Sequence, residues 1–132
     1  MMILKVTAIT MSQKGELIFV DLPIRIDSNT LDDYNANLFW ENLISYRGAN
    51  NQEMFVHAAE YFSPDYDDIK QVPTKDSSVL LHLIHPMDCF NSLVKWLVKE
   101  HDKVTQVRLT LQTKDRSITI YIQEEKDYVE NN

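Results

Sequence analysis

The chemically most capable residues crowd into His82-Leu83-Ile84-His85-Pro86-Met87-Asp88-Cys89. A thiol in the first turn of a helix has its pKa lowered by the helix dipole. A nearby imidazole can then take its proton, which is how cysteine nucleophiles are activated. The same eight residues hold two His, one Asp and one Cys, the ligand types that zinc takes. However, H-x-x-H across the end of a strand does not aim both imidazoles at one point, as an i, i+4 pair on a helix does, and a second pair of ligands has no clear source. If 78–84 is a strand, His82 points to one face while His85 lies beyond the strand end, and Asp88 competes for the same positive helix end. The plainer readings are a strand histidine at 82 with its ring nitrogens hydrogen-bonded and a buried, inert thiol at 89. The sequence is read as non-enzymatic, without cofactor or metal. A small cysteine/histidine enzyme using the 82–89 segment is the alternative.

A second constellation is Asp65-Tyr66-Asp67-Asp68. It opens like a calcium loop, but the alternating acid pattern fails at Ile69, and Lys70 stands where the sharp turn needs Gly. The reading preferred here is a protruding acidic and aromatic epitope that binds a partner. Tyr66 supplies contact area at low entropic cost, and Asp65, Asp67 and Asp68 orient it toward Lys or Arg. Phe39, Trp40 and Tyr46 are further candidate anchors, although core packing explains most of them. Asp32-Asp33 and Glu124-Glu125 read as helix-start and tail charges, since adjacent acids do not converge on a substrate.

These groups need elements to hold them. Residues 3–10 alternate, with Leu4, Val6 and Ala8 on one face, as in a half-buried strand. Residues 16–26 repeat the pattern with Ile18, Val20, Leu22, Ile24 and Ile26, so the two runs form a hairpin around Gly15. Pro23 puts the second strand at an edge or breaks it. Thr30 caps a helix over 30–47, and a second amphipathic helix is expected over 51–62 from the one-turn spacing of Met54, Phe55, Ala58, Ala59 and Phe62. Residues 63–77, with two prolines and four aspartates, form the longest loop. A strand apolar on both faces follows at 78–84, then a helix over 86–101 with Pro86 at its first position. Val107, Leu109 and Leu111 pair with Ile118, Ile120 and Ile122 in a final hairpin turning at 113–116, whose polar face meets water.

The expected order is therefore β-β-α-α-β-α-β-β. It describes one α+β domain over 1–123, a mostly antiparallel sheet with helices on one face, and an acidic tail at 124–132. A chain of 132 residues, 44% hydrophobic, suits a single domain. With one cysteine there is no intrachain disulfide, and a reducing, cytoplasmic setting is expected. The N-terminus lacks a signal peptide, and no apolar run reaches the roughly 18 residues of a membrane span. Two glycines leave no dinucleotide or phosphate-binding loop.

Charge decides among the partners. The formal net charge is -7; residues 1–76 carry 6 basic and 12 acidic groups, 77–123 carry 6 and 4, and 124–132 carry 1 and 4. The N-terminal part and the tail repel a polyanion, which argues against nucleic acid, and attract a basic partner. In size and acidity alone the chain is similar to bacterial immunity proteins, phage inhibitors and secretion chaperones. The expectation is a non-catalytic, acidic protein-binding module of inhibitor or immunity type. It engages a protein with a basic surface through its N-terminal two-thirds and the 63–76 loop, with no membrane partner. A structural subunit, self-associating through the 30–47 segment, is a further alternative.

Overall fold

The computed structural model describes residues 2–20, 24–29, 54–64, 70–71 and 85–126, with Phe19 and Gln71 as backbone alone. The N-terminal alternation folds as β1 (Ile3–Ser12), with Leu4, Val6, Ala8 and Thr10 buried. A tight turn leads into β2 (Leu17–Val20). Gly15 adopts φ +79°, a left-handed conformation that a side chain disfavours, and its N–H donates to the Ser12 carbonyl at 3.0 Å. β3 (Ile24–Asp27) continues along the same side of β1. Then come β4 (Phe55–Phe62), β5 (Lys70–Gln71), the helix α1 (Pro86–Lys99), β6 (Gln106–Gln112) and β7 (Arg116–Glu124).

Every described pairing is antiparallel, and the strand order is β2-β1-β7-β6-β4-β5, with β3 beside β1. Because directly opposed residues share a face, register builds the core in rows. Ala8, Ile120, Leu109 and Ala59 make one row; Thr10, Ile118, Leu111 and Val56 make the next. Phe90, Leu93, Val94 and Leu97 bring the buried stripe of α1 against this face, where α1 packs on β6 and β4. The Trp96 ring meets Tyr61 of β4 edge-on, with centroids 5.2 Å apart. Each large aliphatic group so buried contributes about 1.5–3 kcal/mol.

The expected α+β, antiparallel character with a helix on one face holds, but the order β-β-α-α-β-α-β-β does not. The helix expected over 51–62 is the strand β4. A bulge at His57 explains the misreading. Val56 opposes Leu111 and Ala59 opposes Leu109, so the extra residue puts two core-facing side chains three apart, the spacing of a helix turn. The single strand expected over 16–26 is two. Val20 opposes Ile9 whereas Ile24 opposes Val6, so four steps on one strand match three on the other, and the facing side chains swap sides near Pro23. Val20 consequently faces away from the side that Ile24 and Ile26 share with Val6 and Leu4, and Ile24 on that side is still 42% exposed, so the five residues do not make one buried face. The expected loop over 63–77 is interrupted by β5. The helix over 30–47 and the strand over 78–84 lie outside the described residues.

The last helix and hairpin match their expectations closely. Pro86 begins α1, and His85 caps it, its Nδ1 accepting from the Met87 N–H at 3.2 Å. At the β6–β7 turn the Thr113 hydroxyl accepts from the Arg116 N–H at 3.1 Å, and Asp115 takes two bonds from the Arg116 guanidinium. Those bonds, with help from Thr113, hold the Asp115 carboxyl below its ordinary value. Glu124 ends β7, and Glu125 remains tied to the sheet. Its N–H donates to Ile3 O at 2.9 Å, and its carboxylate receives Arg25 at 2.5 and 3.0 Å. The Arg25 contact depresses the Glu125 pKa, with the Lys5 charge adding to it. No described helix is long and apolar enough to cross a membrane.

Candidate interaction surfaces

Asp65, Tyr66, Asp67 and Asp68 lie outside the described residues, but both ends of their segment are placed. β5 pairs antiparallel with β4, Tyr61 opposite Lys70 and Glu60 opposite Gln71. The four residues thus belong to the connection of an edge hairpin, between exposed Pro64 and exposed Lys70. The near end is pinned to β6, since the Thr105 N–H and hydroxyl both donate to the Phe62 carbonyl, at 2.8 and 3.1 Å. Within β4 the one carboxylate is committed to the sheet. Glu60 accepts two N–H groups of Arg108, at 3.2 and 3.0 Å, and the Arg108 guanidinium lies 5.7 Å from the centre of the Phe62 ring.

The same end of the sheet carries an open groove of about 440 Å³, walled by Lys5, Thr105, Gln123, Glu124 and Lys126 over Val104. Glu125 also lines it and is engaged by Arg25, so two lysines and two glutamates share the groove. The groove is open and mixed in sign, unlike the apolar, enclosed pockets that small ligands favour.

The His/Cys constellation is placed in part. His82 lies outside the described residues. His85 is occupied at the helix start, its ring by the Met87 N–H and its carbonyl by the Cys89 N–H at 3.0 Å. Cys89 is buried in the core cluster, and burial pushes its thiol up to about 11. That is the opposite of an activated nucleophile. Among the described residues no three His, Cys, Asp or Glu side chains are gathered as metal ligands would be. Phe39, Trp40, Tyr46, Asp32 and Asp33 lie outside the described residues.

One surface escaped the sequence reading. Leu17, Ile18, Val20 and Ile24 are 61, 46, 53 and 42% exposed. They lie on the outermost strand of the sheet and its continuation. The even spacing of Ile18, Val20 and Ile24 reads as one face, but a bulge at Ile18, between the Thr10–Phe19 and Met11–Leu17 pairs, and the register change near Pro23 break it up.

Comparison of the chain with protein-family models, with curated proteins and with solved structures finds no match.

Proposed function

We propose that this protein is a non-catalytic binding module of inhibitor or immunity type. It docks onto a basic protein through Asp65, Tyr66, Asp67 and Asp68, in the cytoplasm, where a lone unoxidised cysteine is at home. The observation that carries the reading is the Tyr61–Lys70 pairing. It holds the two flanks of the tetrad on the edge of the described sheet, and binding loops are commonly mounted on such rigid scaffolds. A net charge of -7 adds long-range attraction for a basic partner and raises its on-rate. The competing cysteine chemistry loses support, because the thiol is buried and protonated and His85 is engaged as a cap.

The test begins with capture of partners from the native cell, followed by mass measurement, and then titration of the retained protein against salt. Each exposed charge contact contributes about 0.2–1 kcal/mol, so replacing Asp65, Asp67 and Asp68 together by Asn weakens binding by about 0.6–3 kcal/mol, or about 3- to 150-fold. Affinity also falls steeply with ionic strength. Binding indifferent to salt and to the triple substitution refutes the reading.

A further inference from the structure

The outer edge of β2 carries the inference that goes furthest. β2 ends the described sheet on one side, and β1 occupies its inner hydrogen-bonding row. An edge strand leaves its outer N–H and C=O groups as a template for another strand. Proteins commonly blunt such an edge with lysine, yet Leu17-Ile18-Phe19-Val20 contains no charge at all. Its described side chains are large, aliphatic and about half exposed. At the other end of the described sheet, β5 presents only two described residues.

We infer that this edge receives an extended segment of the partner protein, added antiparallel or parallel to β2, with apolar residues alternating with Lys or Arg. The inference rests on the proposed docking to a basic protein and supplies its second contact. Charge selects the occupant. The strand is bracketed in sequence by Glu16 and Asp21, and residues 1–76 carry 12 acids against 6 bases. A second copy of the chain brings a further -7 and is repelled, whereas a basic strand is drawn in. Apolar residues of the incoming strand would cover Leu17 and Val20, which face the same side of the sheet as Met11 and Ile9. Its cationic residues would reach Glu16, which is exposed. Main-chain hydrogen bonds then supply affinity and alternate side chains supply specificity.

The probe is a nine-residue peptide of alternating Val and Lys, titrated into the whole protein labelled for amide NMR. The expected result is chemical-shift change and slowed amide exchange confined to 17–20 and the neighbouring β1. A control peptide N-methylated on alternate residues, which cannot donate along one edge, binds at least about tenfold more weakly. The exposed-site variant Val20→Lys, which keeps the core intact, produces a similar loss. Replacing Asp65, Asp67 and Asp68 by Asn leaves the peptide's contacts on β2 in place, so failure of the acidic-loop reading and failure of this one are told apart. Four outcomes overturn the inference: no change on β2 at millimolar peptide, changes elsewhere, indifference to N-methylation, or a concentration-dependent dimer abolished by Val20→Lys.

Discussion

The Cys89 thiol makes alkaline pH a direct probe of the core. Burial places its pKa at about 11 against an ordinary 9.0. Below pH 9 the thiol is protonated in the folded and the unfolded chain, and its contribution to stability does not vary. Between pH 9 and 11 the unfolded chain releases a proton that the folded chain keeps, so stability falls as pH rises. At about 1.4 kcal/mol per unit, the loss is about 2 kcal/mol at pH 11, where the folded thiol begins to ionise too. Lysines and tyrosines titrate in the same window, so the measurement is a difference. Urea unfolding of the wild type and of Cys89→Ala is followed from pH 8 to 11, and the gap between the two curves should shift by about that amount in favour of the variant. At pH 7.5 the thiolate fraction is about 100-fold below that of an unfolded thiol, and burial slows alkylation further. The expected outcome is a thiol unreactive to iodoacetamide until the protein unfolds. Alkylation at a free-thiol rate near neutral pH, or a gap that does not move with pH, refutes the reasoning and restores the cysteine-enzyme alternative.

Two predictions concern the sheet. Ile120 is fully buried in the row that joins Ala8 to Leu109, so Ile120→Ala should cost about 2–5 kcal/mol by urea denaturation; a loss below 1 kcal/mol would show that the row is not packed. Deleting His57 removes the bulge residue and leaves Val56 opposite Leu111 and Ala58 opposite Thr110, so the fold should survive within about 1 kcal/mol. Deleting Thr110 from the unbulged β6 turns the residues on one side of the deletion onto the wrong face and should unfold the protein, both being read by circular dichroism.

How far the sequence could be read depended on local regularity. The β6–β7 hairpin and α1 were legible because each keeps one period from end to end and carries its own punctuation: the Thr113–Arg116 turn, the Pro86 start. β4 was illegible for the converse reason. A one-residue bulge turns strand spacing into helix spacing, and nothing at His57 marks it in sequence. The β2–β3 register change had a visible cue in Pro23, which located the break but not the swap of faces that follows. β5 is too short to carry any period, and its existence depends on the neighbour it pairs with. The site readings divide along the same line. Whether Cys89 points into the core follows from the apolar stripe of α1, whereas the exposure of Leu17 and Val20 depends on strand order, a long-range property.

The longest seam in the sheet joins β1 to β7, nine residue pairs from Leu4–Glu124 to Ser12–Arg116. Its two halves stand more than 100 positions apart along the polypeptide, so during synthesis the first strand leaves the ribosome long before the one that covers its flank exists. Assembly has to wait for the final hairpin, and such distant pairing slows folding. In that interval β2 and β3 can cover one rim of β1, but the rim that awaits β7 is open to whatever the cell offers, and a timely escort for the nascent chain would spare it from sticking to its neighbours.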